Sequence, residues 1–189
     1  PATMYTGAGP LQLLRVGTEV YSAGYLRQRG QDEVVVMRIR RNGTVRSVTR
    51  GSLGSSGARG ATAPPALIQE PGSNRLLVLA VDGTARLLRA SIGLDAQPGS
   101  LSFEQVATGV DSRFSPALIA REEAIMAAWT KSGPPMKLAF TPSLTESPMR
   151  TIEVFPVGGS SCHPRFVENA DGIDLYSVDA RAGVSVLHR

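Results

Sequence analysis

The chain has 189 residues, 42% of them hydrophobic and 19% charged, with a formal net charge of +4. That length and apolar share can bury a sizeable core, while no apolar run approaches the roughly 20 residues a bilayer-spanning helix needs. One cysteine excludes an internal disulfide, so the fold must rest on packing. The compartment stays open, with an extracytoplasmic setting, periplasmic or secreted, preferred. The opening Pro1-Ala2-Thr3, without Met or a basic start, predicts a mature, processed or trimmed product.

In chain order, a first unit begins at Pro10 with short apolar runs over 11–16, 19–26, 33–40 and 44–50. Asn42-Gly43 between the last two is expected to supply the positive φ angles of a tight hairpin turn. Residues 51–63 (GSLGSSGARGATA) read as a flexible surface loop, too poor in apolar groups to offset the entropy of ordering them. A second unit opens on Pro65-Ala66-Leu67-Ile68, and its later runs cover 75–81, then 84–90 across an Asp82-Gly83 turn, then 102–108. Pro116-Ala117-Leu118-Ile119 repeats the four letters and opens a third unit, whose runs reach 120 and then cover 124–130, 136–141 and 151–157. Pro164-Arg165-Phe166-Val167 opens a fourth, with runs over 172–179 and 183–189, and there a fourth strand is missing. Val20-Tyr21-Ser22 is echoed by Leu175-Tyr176-Ser177, both in second runs.

These runs are strands rather than helices: they are about five to seven residues long, rich in Val, Ile, Leu and Phe, and some alternate, as in Thr151-Ile152-Glu153-Val154-Phe155. Residues 117–129 have the Ala and Glu content of a helix, but Pro116 and the repeat alignment predict strand, a turn at Glu122-Glu123, and strand. The prolines and glycines are spread along the chain, which suits many turns and excludes a long helical bundle.

A period near 50 with four strands per unit is the grammar of a propeller blade. Along nearly all its length the chain resembles β-propeller proteins, at the level of the superfold. The resemblance implies an all-β fold, a β-propeller of four-stranded antiparallel blades with four repeats visible, forming either a complete four-bladed ring or part of a larger one. One domain, 1–189, is expected, with repeats at about 10–63, 64–114, 115–162 and 163–189. In a four-bladed ring, residues 1–9 would pair beside 183–189 as the missing outer strand. WD repeats would carry Gly-His and Trp-Asp pairs and sialidase-type blades a Ser-x-Asp-x-Gly-x-Thr-Trp turn, none of which occurs. Kelch blades would repeat a glycine pair, here confined to Gly158-Gly159, and a hemopexin-like closing disulfide cannot form.

Charge is uneven: residues 1–95 carry 12 Arg and no Lys against 6 acids, and residues 96–189 carry 8 basic against 10 acidic residues. Arg38, Arg40, Arg41, Arg46 and Arg50 surround the Asn42-Gly43 hairpin, with Arg38 and Arg40 expected on one strand face and Arg46 and Arg50 on one face of the next. They form either a cationic patch for phosphate or an acidic partner, or a charged, solvated edge that discourages edge pairing.

Acidic residues recur at the expected first-to-second-strand turns: Glu70, Glu122 with Glu123, and Glu168 with Asp171. At a propeller's central mouth such carboxylates would serve general acid/base work, as in glycoside hydrolases, although acids are also ordinary turn formers. Cys162-His163 has two soft ligands but no further ligand at metal-site spacing, so Cys162 is expected to be buried and unligated. Trp129 is expected in the core between blades, and with aromatics at 5% neither a sugar-stacking platform nor a nucleic-acid pattern is present. The expected function is a noncatalytic ligand- or protein-binding module, without cofactor or metal. The alternative is a carbohydrate-active hydrolase or lectin-type propeller using acidic residues at the central mouth. The expected partner is a protein or a glycan, and assembly with further blades or another chain stays open.

Overall fold

A computed structural model describes residues 12–28, 30–55, 63–133, 137–154, 163–181 and 184–188. Residues 1–9 and Cys162, on which the ring-closure and thiol expectations rest, lie outside these. Every regular element among the described residues is a strand. Sheet 1 joins β1 (Gln12–Val16), β2 (Glu19–Gln28), β3 (Gln31–Ile39) and β4 (Val45–Ser55), each antiparallel to the next. Sheet 2 does the same with β5 (Ala66–Gln69), β6 (Arg75–Val81), β7 (Arg86–Gly93) and β8 (Glu104–Thr108). Sheet 3 holds β9 (Ala117–Arg121), β10 (Ala124–Lys131), β11 (Lys137–Thr141) and β12 (Ile152–Val154). Sheet 4 has three strands, β13 (His163–Asn169), β14 (Gly172–Arg181) and β15 (Val184–His188).

The repeated tetrapeptide marks one structural position. Pro65 and Pro116 immediately precede β5 and β9, and Pro164 is the second residue of β13. Leu67 lies opposite Val78, Leu118 opposite Ala127 and Phe166 opposite Leu175, so the third residue of each copy faces the fourth residue of the second strand in its sheet. The first strands pack against one another in the order β1, β5, β9, β13, which stacks the sheets face to face in succession.

This stacking explains the uninterrupted apolar run of β6. Side chains alternate between the faces of a strand. Leu76, Val78 and Ala80 therefore join Tyr21, Ala23, Val34 and Val36 of sheet 1 in one core. Leu77, Leu79 and Val81 point the other way and join Ile125, Ala127 and Trp129 of sheet 3 in a second. Trp129, 2% exposed, lies between blades as its strand position implied. In β14 the alternation is mixed: Leu175 is followed by Tyr176, whose hydroxyl donates to Asp174 Oδ2 at 3.2 Å, and Asn169 Nδ2 donates to the same oxygen at 2.6 Å. The first strands of the two end sheets carry the exposed Leu13 and Val167.

Two expectations need correction. Residues 51–55 are not loop but the end of β4, with Leu53 buried. Glycine at 51 permits this because Leu101 and Phe103 of sheet 2 press against it: a Cβ there would lie 2.5 Å from Leu101 Cβ and 2.6 Å from a Phe103 ring carbon. Nor is the outer edge of β4 wholly solvated, since Arg50 N donates to Gly99 O at 3.1 Å and Leu101 N donates to Arg50 O at 2.6 Å. The second correction concerns the Asp82-Gly83 turn. Its left-handed residue is Ala85, with φ 66°, whereas in the matching Arg40–Thr44 turn that place is taken by Gly43, with φ 82°. Both turns close alike: Gly43 N donates to Arg40 O at 2.8 Å and Ala85 N to Asp82 O at 3.2 Å. At the second turn Asp82 organises the backbone, accepting from Thr84 N at 3.0 Å and Arg86 N at 2.8 Å.

Candidate functional site

The five arginines separate into two groups. The register shift between Arg38 and Ile39 makes Arg46 the extra residue of β4, and Arg40 falls beyond the end of β3, in the turn, so Arg38 and Arg40 do not share one strand face as expected. Arg38, its side chain 15% exposed, turns inward: Nη1 donates to Leu94 O of sheet 2 at 2.8 Å, Nη2 reaches Glu19 Oε1 at 3.5 Å, and the guanidinium sits 5.9 Å from the Tyr21 ring centroid. Arg46 Nη1 donates to the same Glu19 oxygen at 3.2 Å. Arg40, Arg41 and Arg50 are exposed and make no side-chain ion pair among the described residues.

The carboxylates are also divided. Glu70 follows β5, and Glu122, with φ 54°, and Glu123 form the β9–β10 turn. Asp171 is in the β13–β14 turn, where its N–H donates to Asn169 Oδ1 at 2.9 Å, and Glu168 is within β13; both are exposed. Of these residues, Glu70 and Glu123 line a common cleft of about 460 Å³ between sheets 2 and 3, and Glu104 of β8 joins them. Arg89, Ser91 and Thr145 add polar groups, and Leu77 and Ile125 of the second core form its apolar part. Glu122, Glu168 and Asp171 do not line this cleft.

Each carboxylate in the cleft has a different environment. Glu70 is held: Ser91 Oγ donates to Oε1, and Ser73 Oγ and Arg75 Nε approach Oε2 at 3.5 and 3.9 Å. Arg75 Nε in turn donates to Ser91 Oγ at 2.8 Å. Glu104 accepts from Arg89 Nε at 3.0 Å, while another Arg89 nitrogen donates to Leu144 O of sheet 3. Glu123 is exposed at the opposite wall. Sequence reading missed Glu104 because it lies inside a strand, away from the turns where the other acids recur. Only a three-dimensional neighbour relation brings β8 to the β9–β10 turn.

The remaining buried acids serve the scaffold. Asp82 is paired with Arg86 at 2.6 Å, Asp111 with Arg113 at 2.6 Å and Asp32 with Arg27 at 2.8 Å. Tyr25 links sheets 1 and 2, its hydroxyl donating to Val81 O at 3.0 Å and accepting from Val81 N at 3.2 Å. Removal of that hydroxyl from water pushes its pKa well above the ordinary tyrosine value. On the surface, Lys131 and Lys137 both donate to Glu153 and hold its carboxyl below the usual glutamate range. Among the described residues no group of three or more His, Cys, Asp or Glu is placed to hold a metal ion.

No family model and no curated protein matches the chain. Among solved structures it is similar to an endo-arabinase from Bacteroides thetaiotaomicron VPI-5482, with a TM-score of 0.54 and 8% identity, over 94% of this chain and 72% of that one. At that identity the likeness concerns the fold alone. Together with the four successive antiparallel sheets, it makes the fold that of a β-propeller.

Proposed function

We propose that the chain is a carbohydrate-active propeller that takes its glycan in the cleft between sheets 2 and 3. The observation that carries this reading is the convergence of Glu70, Glu104 and Glu123 on one cleft of about 460 Å³, a size within the usual range for small-ligand sites. Carboxylates are strong acceptors for hydroxyl donors, and a sugar offers many. The apolar Leu77 and Ile125 suit the C–H face of a sugar ring. The fold likeness to an endo-arabinase supports the reading only as fold, and makes arabinan the first polysaccharide to test.

Hydrolysis would require two carboxyl groups flanking the bond, about 5–10 Å apart. Glu70, oriented by Ser91, and Glu123 at the other wall are the pair assigned to that role. The test is calorimetric titration with neutral oligosaccharides of arabinan, galactan and xylan, together with assay of new reducing ends. Binding should fall at least about 10-fold, or about 1.4 kcal/mol, in Glu70→Gln and Glu123→Gln. New reducing ends identify a hydrolase, and binding without them a lectin-type module. Failure of the unaltered chain to bind any neutral glycan sinks the reading. A second reading, a protein-binding module without catalysis, is favoured by one observation: among the described residues no aromatic side chain on which a sugar could stack lines the cleft.

A further inference from the structure

We infer that the exposed Arg40, Arg41 and Arg50 form an anion-binding extension of this cleft, and that the ligand is an acidic polysaccharide, one bearing carboxylate or sulfate groups. The inference rests on the glycan reading of the cleft and names the ligand class more closely. Glu19 partly neutralises Arg38 and Arg46, at 3.5 and 3.2 Å. Arg40, Arg41 and Arg50 are left with no acid partner among the described residues, on the half of the chain that carries 12 Arg against 6 acids. Unpaired guanidinium groups are the side chains best matched to carboxylate and sulfate oxygens.

The shape favours a polymer over a single phosphate. Arg50 is paired with Val35, five residues before Arg40, so at the usual rise of a strand Arg40 and Arg41 in the turn lie about 17 Å from Arg50, and the charges form a stripe along the β3–β4 hairpin rather than a cradle. That stripe meets the cleft through one segment. Residues 99 and 101 hydrogen-bond to the Arg50 backbone, and Ser102, the next residue, lines the cleft. A chain lying along the segment would set acid-bearing units on the arginines and neutral units among the carboxylates of the cleft, where further negative charge would be repelled.

The test compares polygalacturonate, heparin and neutral arabinan against the intact chain and the triple variant Arg40→Ala, Arg41→Ala, Arg50→Ala. All three side chains are exposed, so an unchanged circular dichroism melt is expected and serves as the folding control. Polygalacturonate or heparin should bind in low salt, weaken as salt rises, and bind the triple variant at least 10-fold more weakly, while neutral glycan binding stays unchanged. Response to polygalacturonate alone assigns carboxylate, and response to heparin alone assigns sulfate. The inference is overturned if neither acidic glycan binds, if the triple variant binds them as the intact chain does, or if duplex DNA competes equally well. Failure of the cleft reading is distinguishable, because it appears as loss of neutral glycan binding while the arginine-dependent binding persists.

Discussion

Arg38 of sheet 1 donates to the Leu94 carbonyl of sheet 2 at 2.8 Å, and one sheet further on Arg89 donates to the Leu144 carbonyl of sheet 3. Both arginines sit on third strands, and both leucines are buried in the third-to-fourth-strand connection of the next sheet. Their amides are fixed alike, Leu94 N donating to Asn74 O and Leu144 N to Ile125 O, each at 2.9 Å. A clasp between neighbouring blades is thus repeated along with the strands. Replacing Arg38 by Met keeps much of the apolar stem but removes the donor, leaving a buried carbonyl and Glu19 less well satisfied. A loss of about 1–3 kcal/mol is expected, which for a chain of this size lowers the melting temperature by roughly 2–4 °C per kcal/mol. An unchanged melt would show that the clasp contributes nothing net.

Gly51 offers a sharper packing test. Its φ is not in the left-handed region, so any cost of Gly51→Ala comes from contact, and the atoms in the way include the Leu101 carbonyl oxygen at 2.8 Å, which is backbone. The 99–103 segment must then move off β4. Destabilisation of about 1–3 kcal/mol is expected as a lower urea midpoint with little change in slope, as for other overpacked sites. Faster proteolysis within residues 94–103 should accompany it. Equal midpoints would mean that the segment gives way freely.

Both the repeat and its limits can be traced to particular residues. Pro65-Ala66-Leu67-Ile68 and its copies were legible because equivalent residues meet equivalent neighbours, Leu67 on Val78 and Leu118 on Ala127. Asn42-Gly43 was legible as a turn because Gly43 takes the positive φ. Asp82-Gly83 was legible as a turn but not in its geometry, since the positive φ passes to Ala85 and an aspartate side chain supplies the order. Composition misled at 51–55, where small residues are there for close approach rather than mobility. The division of the arginines was not legible: Arg38 is claimed by a carbonyl 56 residues away, and no local pattern marks that. Glu104 was hidden for the same reason, its relation to Glu70 existing only across the width of sheet 2 and that to Glu123 only between stacked sheets.

Asp82 should be among the least tolerant positions. Its carboxylate is fully buried and accepts from Thr84 N, Thr84 Oγ1, Arg86 N and Arg86 Nε, and Arg86 also donates to Leu53 O of sheet 1 at 3.2 Å. Asp82→Ala leaves two amides, the Thr84 hydroxyl and a guanidinium without their acceptor. A loss of about 3 kcal/mol is expected, at the lower end for a broken ion pair because Arg86 is partly solvated. Asp82→Asn retains an acceptor for the turn amides and should lose less. Thermal melts of the two variants check the order, and equal losses would assign the whole effect to the charge.

The last prediction concerns alkaline pH. Tyr25 has its hydroxyl bonded to both Val81 N and Val81 O, and withdrawal from water raises its pKa in the folded chain above the ordinary value near 10. The contribution is complete below the unfolded pKa. Above it the unfolded chain sheds the proton while the folded chain retains it, so stability declines as pH rises, until the folded pKa is passed. The slope from one such tyrosine approaches about 1.4 kcal/mol per pH unit beyond pH 10. Tyr25→Phe should be less stable at neutral pH by about 1–3 kcal/mol, because the Val81 groups lose their partner. Its alkaline loss should nonetheless be shallower than that of the intact chain. Urea midpoints taken from about pH 8 to about pH 11 measure both effects. Parallel alkaline slopes in the two proteins would mean that Tyr25 ionises in the folded chain as readily as in the unfolded one, and that its hydroxyl is not withdrawn from water.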